Sequence, residues 1–167
     1  MIEHDLEKIA LQEKRLQFTE FNAAVAWELG VALRSAALKR GAAMAIDIQL
    51  HGHLLFACSL PGTTPDNWEW IRRKRNVVMR YHRSSYAIGL KHARAGSTLQ
   101  ETTGLDLCDY ATHGGSFPVT LSGAGCVGTI TVSGLPQRDD HSLVVSVLAE
   151  YLNLQGENLA LDPPDRS

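Results

Sequence analysis

The stretch His113–His141, HGGSFPVTLSGAGCVGTITVSGLPQRDDH, decides the fold. Phe117, Val119 and Leu121 alternate with Pro118, Thr120 and Ser122. Beyond the Gly123-Ala124-Gly125 turn, Cys126, Gly128, Ile130 and Val132 alternate with Val127, Thr129, Thr131 and Ser133. Period-two alternation on both sides of a glycine turn is the pattern of a β-hairpin with one apolar face. Thr129 falls on the opposite face, which this pattern leaves more open. Because antiparallel strands return to where they began, His113-Gly114-Gly115 at one end is brought near Ser133, Gly134, Asp139, Asp140 and His141 at the other.

Working outward, the segment AAMAIDIQLHGHLLFACSLPG (residues 42–62) has the same character and predicts a second hairpin turning at His51-Gly52-His53. A three-residue loop sets Leu50, Ile48, Ile46 and Met44 opposite Leu54, Phe56, Cys58 and Leu60 on one face, whereas a two-residue loop would split the apolar sets between faces. The other face carries Ala43, Ala45, Leu55 and Ala57 beside Asp47 and Gln49, so something covers part of it.

Helices fill the remainder. Ile2, Leu6, Ile9 and Leu16 mark an N-terminal helix within residues 1–18, packed on the body or on another subunit. Thr19 is placed to cap a helix from Glu20 to about Arg40 with Phe21, Val25, Leu29, Ala32 and Ala36 as its stripe and Gly41 as its stop. Asp66 is placed to cap a long segment from Trp68 to Gly96. Its packed side holds Trp70, Ile71, Lys74, Val77, Val78, Tyr81, Ser85 and Ile88, while Arg72, Arg75, Arg80 and Arg83 point away. Ser84-Ser85 and Gly89 weaken its middle, so one helix and two in succession are equal readings. Ser97 with Gln100 suggests a capping box for a short helix ending at Gly104. Asp139 or Asp140 then caps a last helix with Leu143, Val144, Val147, Leu148, Tyr151 and Leu152 inward. The tail, residues 156–167, reads as extended and mobile unless a partner subunit holds it. Two hairpins among such helices make an α+β chain with an antiparallel sheet.

The 167 residues, 44% hydrophobic, fit one domain spanning 1–167. A formal net charge of −2 does not direct the chain to nucleic acid or to an anionic membrane surface. The acidic, amphipathic N-terminus lacks the pattern of a secretory signal. The cysteines Cys58, Cys108 and Cys126 form no CxxC pair, so a reduced, cytoplasmic setting is the default expectation.

The run GG-x-x-P at Gly114 to Pro118, then Gly125, then GTITVSG at 128–134 and Asp140, resembles the signature of the haem-degrading HbpS/GlcG family, which includes the C-terminal domain of PduO. The longer wordings HGGSFPVTL, GTITVSGLPQRDDHSLVV and, upstream, WIRRKRNVVMRYHRSSY resemble the UPF0303 branch of that family, and the likeness covers nearly the whole chain. It implies a profilin-like three-layer α/β/α fold around a sheet built from the two hairpins. It implies assembly of the chain with itself into something larger than a dimer, and binding of haem or a related tetrapyrrole, with slow oxidative degradation as a further step. Relatives carry a small glycine near the position of Thr131, and a threonine there would narrow a pocket. With no Cys-Pro or CxxCH motif, haem would be held non-covalently.

The candidate ligand-binding residues are His113, Gly114, Gly115, Ser133, Asp140, His141, Arg72 and Arg75. In this reading His113 supplies the reactive imidazole and the Gly114-Gly115 N–H groups face a ligand carboxylate. Asp140 orients His113 or His141, and Arg72 or Arg75 completes the site from the same chain or across a subunit boundary. A glycine pair before a strand is equally well a simple turn, and mid-strand Gly128 would serve a packed helix as well as a ligand. His51 and His53 lose shared geometry at a turn and no third ligand follows by spacing, so no metal site is assigned. Arg72, Arg73, Lys74 and Arg75 fan around a helix rather than forming one basic strip, which favours pairs with Asp66, Glu69 or another subunit's acids over nucleic acid. Capture of a small anionic ligand, such as haem propionates or a nucleotide, is the second use of that run. Trp68, Trp70 and these arginines also have the composition of an interface. No G-x-S-x-G elbow is present, and Cys108, beside Asp106 and Asp109, is a poor thiolate. The competing reading is a homo-oligomeric structural or interaction protein without catalytic activity.

Overall fold

The structure, a computed structural model, describes residues 1–163; the end of the expected tail, 164–167, lies outside the described residues. In chain order the elements are α1 (Ile2–Arg15), α2 (Ala23–Lys39), β1 (Ala45–Leu50), β2 (His53–Ser59), α3 (Pro65–Tyr81), α4 (Ser85–Ala95), α5 (Leu99–Thr103), β3 (Ser116–Leu121), β4 (Gly125–Ser133) and α6 (Gln137–Tyr151). The two hairpins lie side by side in one antiparallel sheet of order β2-β1-β4-β3, so β1 and β4 are central. Helices α2 and α6 pack on one face and α3 on the other, which is the profilin-like three-layer arrangement.

The face under α2 and α6 holds the main core. Ile46, Ile48, Phe117, Val119, Ile130 and Val132 meet Leu29, Leu33, Leu143, Val144 and Leu148, all of them buried. The face under α3 is also covered but is polar: Asp47, Thr129, Thr131, Ser116 and Ser133 are buried there. Thr131 is therefore no pocket wall, since its hydroxyl is hydrogen-bonded to the Ser116 hydroxyl at 2.8 Å. Thr129, expected on a more open face, is fully enclosed and its hydroxyl has no partner among the described residues.

The β1–β2 connection differs from expectation in an instructive way. His51 and Gly52 both adopt positive φ (52° and 75°), which makes a two-residue turn of the kind whose twist suits a hairpin. Leu50 thus lies opposite His53 and Gln49 opposite Leu54. A bulge that leaves Leu55 unpaired then restores Ile48 opposite Phe56 and Ile46 opposite Cys58. The apolar register is the anticipated one except at Leu54, which ends up exposed. In β4, Gly128 is required by the neighbouring strand: a Cβ there would stand 2.1 Å from the Gln49 carbonyl oxygen.

Caps fall one to three residues from the expected positions. Asn22, not Thr19, caps α2, its side chain accepting from the Val25 N–H at 3.0 Å. Thr64 precedes α3 in a capping box with Asn67, and Pro65 fills the first helical position, where a missing N–H costs nothing. The long segment is two helices, broken at His82–Ser84 with His82 in the left-handed region, and Gly89 lies inside α4. Thr98 and Glu101, one residue beyond the expected pair, form the box of α5. Neither Asp139 nor Asp140 caps α6; Pro136 stands at that position.

α1 packs against α4 of its own chain, with Ile9 buried against Tyr86 and Ala87. Nor is the tail loose as far as residue 162. Leu159 is buried in the main core, its carbonyl accepts from Gln12 at 2.7 Å, Arg15 pairs with Glu157, and Arg138 donates to the Asp162 carbonyl at 2.6 Å. Among the described residues, no helix is long and apolar enough to cross a membrane.

Candidate functional site

Three sequence-distant pieces converge at one end of the sheet: the first turns of α3, the His113–Gly115 approach to β3, and the link from β4 into α6. The three pieces meet at one cation. Lys74 lies on the packed face of α3, buried, and its Nζ donates to the carbonyls of Gly114 (3.0 Å) and Val132 and to Asp140 Oδ2 (3.1 Å). Three N–H groups thereby meet three acceptors, so the ammonium is saturated. Asp140 also accepts from the N–H groups of Leu135 (2.9 Å) and Gly134 (3.4 Å), which folds the link back onto the first turn of α6. Burial pushes the Lys74 amine down and the Asp140 carboxyl up, and in each case the partner's opposite charge acts against burial.

This convergence is what the glycine pair is for. A Cβ at Gly114 would stand 2.0 Å from the Gln137 carbonyl oxygen. At Gly115, where φ is +127°, it would meet Lys74 Nζ at 2.4 Å and the Val132 carbonyl oxygen at 2.6 Å. The Gly114 N–H points to Gln137 Oε1 at 3.4 Å, and the Gly115 carbonyl accepts from the Val132 N–H. The pair packs backbone against backbone, and Gly115 lies behind the cleft wall.

In front of Lys74 opens a cleft of about 300 Å³, lined by Asp66, Asn67, Trp70, Lys74, His113, Gly114, Ser133, Gly134, Leu135, Gln137 and Asp140. His113 stands at its rim with its ring edge-on to Trp70, centroids 5.1 Å apart. The Arg73 guanidinium lies over the Trp70 ring at 4.3 Å. Partial burial, then the charges of Lys74 and Arg73, hold His113 below the ordinary imidazole value, so it is neutral at pH 7.

Four of the expected residues, His113, Gly114, Ser133 and Asp140, thus meet in the cleft, and Gly115 supports it from behind. Three do not reach it. His141 is buried on the far side of α6 between Tyr86 and Phe117, within 2.8 Å of Gln12 Oε1, and burial drives its pKa down to about 3. Arg72 turns to Glu69, to Asp109 Oδ1 (2.9 Å) and to the Cys108 carbonyl (2.8 Å), pinning that loop to α3. Arg75 reaches Asp47 at 3.1 Å on the sheet face. Asp140 is fully occupied by Lys74 and the loop and orients neither histidine. Cys108 is exposed, and its hydrogen bond with Asp106 raises its thiol pKa. The sequence reading passed over Lys74, whose signal was present: a lysine on an otherwise apolar helical stripe needs a buried acceptor.

A four-stranded antiparallel sheet between helical layers, with a polar cleft where α3 and α6 begin, defines the class: a profilin-like small-domain fold with a cleft at the end of its sheet. Residues 21–149 match the family described as haem degrading protein HbpS-like. Among curated proteins, a UPF0303 protein of Rhizobium leguminosarum bv. trifolii is 54% identical over 98% of both chains. Among solved structures, the Ybr137w protein superimposes with a TM-score of 0.83 at 33% identity, covering 90% of this chain and 89% of that one. HbpS superimposes with a TM-score of 0.62 at 25% identity, covering 81% and 92%. The chain belongs to the HbpS-like haem-degrading protein family, in its UPF0303 branch.

Proposed function

We propose that this protein binds haem non-covalently at the cleft beside Trp70, with His113 as the ligand to iron. The observation that carries the reading is the place of His113: an imidazole at the rim of a cleft, edge-on to Trp70 and with no hydrogen-bond partner among the described residues, which partial burial and nearby cations hold below the ordinary imidazole value. A neutral imidazole is what an iron ligand must be. Membership of a family described as haem degrading supports the choice of tetrapyrrole. The donor set fits. At about 300 Å³ the cleft is at the small end of ligand sites, so it takes one edge of the macrocycle and leaves the rest outside. Trp70 offers the adjoining apolar surface, and Arg73 is the cation nearest the rim for a propionate, because Lys74 is already saturated. Bound haem would supply redox-active iron, with His113 as the residue that would hold it.

Titration of the purified protein with hemin tests this. The expected result is a Soret shift that saturates near one haem per chain in the wild type and is displaced and weakened in His113→Ala. No Soret shift in the wild type would overturn the proposal, and an unchanged spectrum in His113→Ala would overturn the assignment of the ligand.

A further inference from the structure

A second cavity, of about 310 Å³, shares no residue with the cleft. Ser142, Val145 and Ala149 supply its α6 wall, and by helical spacing they lie on the side of α6 opposite Asp140. Gln12 of α1 and the segment after α6, residues 155–161, close over it. That segment is tied down along its length. The Leu154 N–H donates to the Ala149 carbonyl at 2.7 Å, Arg15 Nε to Glu157 at 2.8 Å, Gln12 to the Leu159 carbonyl at 2.7 Å and Arg138 to the Asp162 carbonyl at 2.6 Å. The space beneath is therefore part of the fold, left unfilled because the α6 side chains facing it are short.

Most polar groups at its wall are already committed. Gln12, fully buried, spends its amide on Leu159 and its Oε1 on His141. Ser142 and Ser146 donate to carbonyls of their own helix, those of Arg138 (2.7 Å) and Leu143 (2.9 Å), so neither hydroxyl proton is left over. The Glu157 carboxylate is held through both its oxygens by Arg15. What remains is apolar surface from Val145, Ala149, Leu159 and Leu161, together with two polar ends: the Arg40 guanidinium and the Gln155 carboxamide. Both of these side chains are exposed and have no hydrogen-bond partner among the described residues.

We propose that this cavity binds a small apolar monocarboxylic acid, with the carboxylate on Arg40 and the apolar body between α6 and the 155–161 segment. A guanidinium meets the two oxygens of a carboxylate with paired N–H groups, and the Gln155 carboxamide adds a further donor. Charge balance selects a monoanion. Arg15 already neutralises Glu157, so Arg40 is the one uncommitted cation of the lining, and a phosphate or dicarboxylate would leave a negative charge unmatched beside Glu157. The walls select an apolar body, because water needs several polar partners and finds few here, whereas a hydrocarbon recovers the dispersion contacts that the hollow lacks. Size sets the class: the volume is at the small end of ligand sites, which suits a medium chain or a single ring and is too small for a tetrapyrrole. The site therefore stands independently of the haem reading.

Isothermal titration calorimetry with octanoate, for the chain, and phenylacetate, for the ring, tests the site. At least one of the two is expected to saturate at one acid per chain, while acetate and 1-octanol, each lacking one half of the ligand, bind far more weakly. Arg40→Ala, at an exposed position, should weaken the acid roughly tenfold and leave 1-octanol unaffected. Ser146→Leu, which fills the cavity from an exposed position, should abolish binding of the acid, and urea unfolding checks that both variants remain folded. The proposal is overturned if neither acid binds saturably to the wild type, or if either variant retains wild-type affinity. Displacement of the acid by hemin overturns it as well, since that would place the acid in the cleft. Because the two sites share no residue, hemin titration of the same variants reads the haem proposal separately.

Discussion

Lys74 and Asp140, 66 positions apart in the chain, form a buried ion pair at 3.1 Å in which each partner also holds backbone: the ammonium two carbonyls, the carboxylate two N–H groups. The pair therefore fastens α3, the approach to β3, the end of β4 and the start of α6 at one point. Lys74→Met should lower unfolding free energy by about 3–5 kcal/mol, since it strands a buried carboxylate. Adding Asp140→Asn should recover a substantial part of that loss, because no unpaired charge remains. Urea unfolding of the single and double variants measures both, and additive losses would show that the two groups do not act as a pair.

The polar layer under α3 makes Thr129 a second test. Ile130→Asp and Val132→Asp should unfold the protein, and so should Thr129→Asp, since all three sites are enclosed. Thr129→Val is expected to be neutral or to stabilise by about 1 kcal/mol, because it removes a buried hydroxyl that has no partner. Thermal melting of the four variants gives the order.

His141 sets the response to acid. Gln12 donates to the Leu159 carbonyl through Nε2, so its Oε1 faces His141 and the imidazole carries its proton on Nε2, neutral. With a folded pKa of about 3 against 6.5 for the free side chain, the unfolded chain binds more protons between those values. Stability held above pH 6.5 is thus lost progressively as pH falls toward 3, by a ceiling on the order of 5 kcal/mol. Asp47 and Asp140, whose carboxyls burial raises, take up protons more readily when folded and oppose this trend. Denaturant melts across pH 7 to 4 should show the fall, and His141→Asn should flatten it.

The two histidines of the central stretch should separate cleanly. His113→Ala removes one ring contact with Trp70 and should leave the melting temperature within about 2 °C while altering the hemin spectrum. His141→Ala opens a buried space between Tyr86 and Phe117 and leaves Gln12 Oε1 without its donor, which should cost about 2–4 kcal/mol with little direct spectral effect. Equal melting temperatures would contradict the placement of these side chains.

What the sequence by itself determined is the part of the fold that local pattern encodes. Alternation from Phe117 to Val132 and from Met44 to Leu60 is a property of consecutive residues, as is the apolar stripe of α6, so both hairpins, the helices and the α+β class were legible. Cap positions slipped by one to three residues because several neighbouring side chains can cap, and only the realised backbone selects Asn22, Thr64 or Thr98. Tertiary structure alone decided which polar groups meet. Asp140 and His141 are adjacent in sequence, yet α6 turns one toward Lys74 and the other toward Gln12, so one belongs to the cleft and the other to the core. Arg72 and Arg75 were drawn from the cleft by Asp109 and Asp47, acids 37 and 28 positions away whose nearness no local pattern records. The chain's short-range periodicity fixes which face of each strand is apolar; whether the polar face is also covered, and which partner a buried charge finds, is set by the topology that brings distant segments together.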